Sequence, residues 1–489
     1  MSEATVPDSG WRATGPYAAG AALGGIVGAG VVVTVTTIIK ELLAVVSRQD
    51  TWVIIIVPVL GIAAATFVLH VIGRGDPVQT LPVPPPTSPA SSRTGSRAGV
   101  GSRTGAPGGT GPRRRWVRYL PRIPLSWRRF PADVARADLT ADVVLSAGAE
   151  ERFPWRQAPL RALAIIITVG SGAPMGTEAP AAHLGVATGS WLGQLRPGRQ
   201  QLLRGAAVAG GAAGVSALMG VALVGTAFIL ELGRRRQVAL TPARVTAALI
   251  GGLIGWGVNL TFELDLIRLI TPMVAPDGWL QVLRTCLYVG VIAGFLTALT
   301  GWAIYRVRGW KAGPMRRLVI GAGAMLAATL TLLLVADGRS AVGPGGGAIL
   351  WAESPVGLAA PAGLLLLVAA LRAAATTAAV AAGGCGGVFV PFLAIGDLAG
   401  RSFAPHLGIP GDLAGASGAA SGIAGGYRLP WTAVAMVIGI GGPALAMTTS
   451  LGCVLVATAT GVATSLGLDR LTRARADRRD DEPAAVTSS

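Results

Sequence analysis

This sequence is short of charge. Asp, Glu, Lys and Arg make up 13% of its 489 residues, about half the share of an average soluble domain. Lysine occurs only as Lys40 and Lys311, and histidine only as His70, His183 and His406. The three cysteines, Cys286, Cys385 and Cys453, lie in apolar stretches without paired spacing. That excludes a disulfide frame or a cysteine metal site and leaves packing as their role. No metal-ligand cluster, Ser/His/Asp set or phosphate loop between strand and helix is found, so an enzyme is the least expected class and no catalytic residue, metal or cofactor is expected. The first sixteen residues are polar, include Glu3 and Asp8, and have no short apolar core with a cleavage site, so no signal peptide is read.

What is present in excess is apolar surface. Apolar residues reach 52%, mean hydropathy is +0.59, and there are 70 glycines. Such a chain cannot keep most of itself in water, and glycine suits close helix packing in lipid. The class is an all-α polytopic membrane protein. The net charge of +17 is local: residues 74–130 hold eleven arginines and one acid, Asp76, which leaves about +7 for the rest. A basic loop beside membrane helices is the positive-inside signal, not a nucleic-acid site. Its Pro-rich start and Ser/Arg/Gly repeats cannot bury a core and read as a disordered cytoplasmic linker, with a weak attraction to anionic lipid.

The expected organisation is a cytoplasmic tail over 1–16, first membrane helices over 17–73, the linker over 74–130, a main core over 131–466 and a short polar tail over 467–489. Tyr17 to Val46 and Trp52 to Ile72 are long enough to cross about 30 Å. Beyond Pro159 several apolar segments, such as 180–195 and 389–400, run only about 12 to 17 residues, which implies broken or partial helices. A shift of 211 residues lays Gly172–Gly214 over Gly383–Gly425. Gly172, Gly176, Pro180, Gly185, Gly189, Gly211 and Gly214 then meet Gly383, Gly387, Pro391, Gly396, Gly400, Gly422 and Gly425. The repeat copies lie around 172–232 and 383–440. Each reads as a Gly-rich turn, a proline near a helix start and a short apolar helix, which points to a transporter-type inverted repeat of broken and tilted helices.

A half-helix starting inside the membrane has unpaired N–H groups and a partial positive charge at its first turn. Two such ends near the midplane make an anion site without a fixed full charge, and weak binding suits rapid transit. The first turn reads Gly176-Thr177-Glu178-Ala179-Pro180 and the second Gly386-Gly387-Val388-Phe389-Val390-Pro391. Gly176, Thr177, Gly387, Val388 and Phe389 are the candidate anion-binding positions. Glu178 is ionisable at membrane depth. Its carboxylate can sit where an anion would sit and leave on protonation, which makes it the candidate gate and a candidate proton carrier.

These motifs resemble the chloride channel and chloride/proton exchanger superfamily, the CLC family. The first turn resembles that family's Gly-Arg/Lys-Glu-Gly-Pro signature, the second its Gly-Gly-(Ile/Val)-Phe-x-Pro signature, and Gly425 to Ala433 its later Gly-x-x-Arg-x-Pro-x-Thr-Ala stretch. Phe228-Ile-Leu-Glu231 resembles its helix ending in Glu. The resemblance implies a helical homodimer with a pore in each subunit, Glu178 as gating glutamate, and backbone amides of Val388 and Phe389 on the anion. Glu231 enters as a second candidate on the proton path. Three features depart from the family. Its Gly-Ser-Gly-Ile-Pro signature has two candidate replacements, Gly73-Arg74-Gly75-Asp76-Pro77 and the preferred Arg136-Ala137-Asp138-Leu139-Thr140, where Thr140 is the candidate anion-binding residue. Its central tyrosine is missing from Gly461 to Leu471. Leu232 stands where exchangers often carry a second glutamate.

The expected function is transport of small inorganic anions, chloride first, channel-like or proton-coupled. The alternatives are a fluoride or other anion/proton antiporter and a non-conducting membrane scaffold. The expected partners are the anion, membrane lipid and a second copy of the chain, with no nucleic acid. Arginine over lysine and the Ala/Gly excess suggest a GC-rich bacterial genome and the inner (plasma) membrane.

Overall fold

The computed structural model describes residues 14–72, 158–194, 200–235, 240–262, 278–310, 312–442 and 448–481. The linker, Thr140 and both candidate replacements for the missing signature lie outside the described residues.

Two long helices open the chain, α1 (Thr14–Ser47) and α2 (Thr51–Ile72). The first repeat follows: α3 (Ala158–Gly170), α4 (Glu178–Gln194), α5 (Gln200–Met219) and α6 (Ala222–Arg235). Next come α7 (Pro242–Phe262), α8 (Trp279–Arg308, with a π-helical stretch over Thr285–Gly290) and α9 (Pro314–Val335). Three short helices lead to the second repeat: α10 (Gly338–Ala341), α11 (Gly346–Glu353) and α12 (Pro355–Leu358). Their periodicity is too brief to show in sequence. The second repeat holds α13 (Ala362–Ala382), α14 (Phe389–Leu407), α15 (Gly411–Tyr427) and α16 (Pro430–Gly441). The last helix, α17 (Thr448–Asp481), carries helical backbone well past residue 466. Leu, Ala and Arg in that stretch are good helix formers, so the start of the expected polar tail is helix.

Seven of the described helices are long and apolar enough to cross a membrane, and the protein is a multi-pass membrane protein. Glycine sets how closely the short helices approach. A Cβ on Gly185 would collide with the Gly210 carbonyl, and one on Gly189 with that of Ala206. In the second repeat Gly396 meets Gly418 and Gly400 meets Ala414 in the same way.

These contacts correct part of the repeat. Gly185 and Gly189 map onto Gly396 and Gly400 by 211, but Ala206 and Gly210 map onto Ala414 and Gly418 by 208. Gly214 therefore answers to Gly422, each lying over equivalent carbonyls of Ala181 and Phe392. The matches Gly211/Gly422 and Gly214/Gly425 do not hold. Ala206 lies 17 positions after Gly189 and Ala414 lies 14 positions after Gly400, so the second copy reaches its packing contact about one turn sooner.

One polar knot ties the second repeat together away from its turn. Arg401 on α14 donates to Glu353 Oε1 at 2.7 Å, Asp397 Oδ2 at 2.8 Å and Asp412 Oδ1 at 2.9 Å. The side chains of Arg401, Glu353 and Asp397 are 4%, 5% and 0% exposed, so the knot is buried and its integrity is costly to lose. It joins α11, α14 and α15.

Candidate anion site at the crossing of the repeats

The two Gly-rich turns meet. Gly176 N–H donates to Gly387 O at 2.6 Å and Gly387 N–H donates to Gly176 O at 2.7 Å, an isolated antiparallel bridge. These two residues are repeat equivalents. A reciprocal pair of bonds between equivalent residues requires a local two-fold relation, so the repeats are inverted at this point. Each copy enters its turn through a left-handed glycine, Gly172 at φ 92° and Gly383 at φ 96°. Each then starts a half-helix at an equivalent residue: Thr177 O accepts from Ala181 N–H at 2.7 Å, and Val388 O accepts from Phe392 N–H at 3.0 Å. Thr177 and Val388 are thus the N-caps, and the first-turn N–H groups after them have no intrahelical partner.

Glu178 fills the space between the two starts. Its side chain is buried, at 2% exposure. The backbone N–H groups of Glu178, Thr177 and Val390, the last on the opposite half-helix, lie close to the carboxylate. Its Oε2 has no hydrogen-bond partner. A Cβ at Gly176 would collide with that oxygen, and one at Gly387 would lie 3.2 Å from it. Both glycines therefore make room for the carboxylate. Their own N–H groups are spent on each other, so they hold the crossing together instead of pointing at an anion. The N–H groups of Val388, Phe389 and Val390 form the open end of the dipole, and a carboxylate is the chemical stand-in for an anion there.

Aromatic rings wall this end. Phe389 packs edge-on against Phe228 of α6 at 5.8 Å and tilted against Tyr427 at 5.7 Å; Phe392 meets the same Tyr427 at 5.4 Å. The hydroxyl sought in Gly461 to Leu471 is not there, but Tyr427, at the end of α15, brings a phenol ring to the half-helix. Its place was visible in Gly425-Gly426-Tyr427-Arg428, next to the matched Arg-x-Pro stretch.

Glu231 is engaged at a helix start. Its carboxylate accepts from Trp431 N–H at 2.9 Å, Thr432 N–H at 2.7 Å and Thr432 Oγ1 at 2.6 Å, capping the start of α16. Both oxygens are engaged. Glu231→Ala removes the cap of that helix and is expected to lower stability by about 1–2 kcal/mol. Thermal unfolding in detergent measures it, and Glu231→Gln should restore part of the loss.

Comparison with known proteins decides the family. The model of the voltage-gated chloride channel family matches residues 127–463. The chain belongs to the voltage-gated chloride channel family. Helices α1 and α2 precede the matched region. The chain is 28% identical over 298 residues to the H+/Cl− exchange transporter ClcA of Yersinia pestis, covering 58% of this chain and 60% of the relative. It is 26% identical over 300 residues to the ClcA of Vibrio cholerae, covering 58% and 62%. It thus spans less than two thirds of the length of these relatives. Among solved structures, a slow cyanobacterial Cl−/H+ antiporter superposes with a TM-score of 0.67 at 14% identity, covering 93% of this chain and 95% of the other. A CLC-type fluoride/proton antiporter gives 0.65 at 18%, covering 94% and 97%. These likenesses fix the fold.

Proposed function

We propose that this family member carries small inorganic anions, chloride first, across the bacterial inner membrane. Each subunit of a homodimer has its own pore, and the chain acts as a transporter, not an enzyme. The observation that carries the reading is the Glu178 carboxylate buried at the Gly176–Gly387 crossing, close to the Val390 N–H at the start of α14. A negative group occupies the place where the dipole and first-turn amides of α14 would hold an anion. Displacement of one by the other is a gate. Val388 and Phe389 supply the neighbouring amides, and Thr177 caps the half-helix that carries the gate. Glu178 is also the one acid of this site that can take a proton as it leaves.

Two modes share this geometry. Leu232, where exchangers of the family often carry a glutamate, and the engagement of Glu231 as a helix cap favour uncoupled passage. The exchange activity in the names of the Yersinia and Vibrio relatives favours proton coupling. Efflux from proteoliposomes loaded with chloride or with fluoride, with a pH electrode in the same vessel, tests the reading. Anion release above that of protein-free vesicles is expected, faster for chloride. Proton movement against the anion identifies exchange and its absence a channel. No release of either anion from folded dimer would overturn transport and leave a membrane scaffold.

A further inference from the structure

Helix α13 holds the gate loop at two points. Thr376, fully buried, donates its Oγ1 to the Pro174 carbonyl at 3.1 Å, 202 residues away in sequence. A threonine inside a helix ordinarily spends its hydroxyl on the carbonyl four residues back. The next residue, Thr377, does so, donating to Ala373 at 2.8 Å. One turn before Thr376, the buried Arg372 donates through Nη1 to the carbonyls of Ser340 (3.3 Å) and Ala341 (3.2 Å), and through Nη2 to that of Gly343 (2.7 Å). Gly343 N–H in turn donates to Gly172 O at 2.9 Å. Gly172 and Pro174 are therefore both anchored to α13, one through Gly343 and one directly.

The opposite loop has a matching brace. Cys385 N–H donates to Thr168 Oγ1 of α3 at 3.3 Å. Residue 385 is the repeat equivalent of residue 174. Pro174 has no N–H to offer, so its brace uses the carbonyl and the threonine hydroxyl donates; Cys385 keeps its N–H, and the threonine accepts. The two braces stand at equivalent points on either side of the Gly176–Gly387 bridge. Only the loop held by Thr376 carries an acid.

We propose that Thr376 is a positioning residue for the Glu178 gate, with Arg372 as its second anchor: together they fix residues 172–177 so that the Glu178 carboxylate reaches the Val390 N–H. This rests on the gate reading of Glu178. Three residues lie between Pro174 and Glu178, and the middle one, Gly176, is pinned to Gly387. With the Pro174 carbonyl released, the buried oxygen must find another partner, and the loop shifts to supply one. The carboxylate then grips the α14 start less well. The anion, which the same amides would hold in the carboxylate's place, gains access.

The test is an epistasis experiment in proteoliposomes with chloride as the probe, near neutral pH. Thr376→Val keeps the shape of the side chain and removes its donor. It should raise efflux about fivefold over wild type, the factor that loss of one hydrogen bond of ordinary net strength gives. In a Glu178→Ala background the same substitution should change efflux by less than about twofold, because no gate remains to be positioned. Thr376→Ser, which keeps the hydroxyl, should match wild type. Equal effects of Thr376→Val in both backgrounds, or none in either, overturn the proposal. A Thr376→Val protein that does not fold is replaced by Thr376→Ala, judged by the same comparison. Loss of efflux from both wild type and Glu178→Ala would instead sink the gate reading itself, and this inference with it.

Discussion

Glu178→Ala is expected to erase the pH dependence of anion flux. In the wild type the carboxylate lies close to the Val390 N–H at the positive end of α14, where its charge is held by the first-turn amides. Protonation removes that charge, weakens the hold and opens the site, so flux rises as pH falls. Charge-assisted bonds of this kind contribute about 1.5–3 kcal/mol, so wild-type flux at about pH 5 should exceed that at about pH 7.5 by roughly tenfold or more. With alanine the ratio should be close to one, and flux near neutral pH should rise to at least the acid value of the wild type. Any coupled proton movement should vanish with it. Chloride-electrode recordings at several pH values read all three. A variant that keeps the wild-type pH profile would remove Glu178 from the gate.

Arg401→Met should be the most damaging substitution away from the site. Arg401 is the one cation of the knot and bonds three carboxylates from three helices. Methionine approximates its volume and takes the guanidinium away from the fully buried Asp397. Breaking a buried ion pair from one side costs about 3–5 kcal/mol. Unfolding in detergent should show the loss as a large drop in midpoint. Adding Asp397→Asn and Glu353→Gln to Arg401→Met should recover much of it, since amides need no counter-charge. A single variant as stable as wild type would mean that the carboxylates are already neutral or find water.

The two Gly-rich turns were legible in the sequence, but the bridge between Gly176 and Gly387, read there as anion-binding positions, was not. Gly172 and Gly383 sit at their expected turns, Gly176 and Gly387 at the crossing, and Glu178 at a helix start, because a left-handed turn and close backbone approach leave few alternatives to glycine. The register of the following helices was not legible, for a definite reason. Three residues are close to one helical turn, so offsets of 211 and 208 both lay glycines over glycines on one face. The braces were hidden too. Thr168 and Thr376 read as ordinary helix threonines, and nothing in their spacing shows that their hydroxyls cross to the other repeat. Of the knot, only Asp397 and Arg401, four apart on α14, were in a pattern sequence could show. Glu353 and Asp412 join it through the fold. Glu231 illustrates the limit of resemblance. Its motif matched, yet its oxygens are committed to the start of α16, which no local pattern foretells.

The central claim is that the Glu178 carboxylate occupies an anion site made by the first-turn amides of α14. A structure of Glu178→Ala determined with bromide in place of chloride tests it most directly, because bromide is located by its own anomalous signal. The expected result is bromide in the space vacated by the carboxylate, within hydrogen-bonding reach of the Val390 N–H and its neighbours Val388 and Phe389, with the Gly176–Gly387 bridge intact. An intact crossing with no bromide at the start of α14, in a crystal that holds bromide elsewhere, would contradict the account.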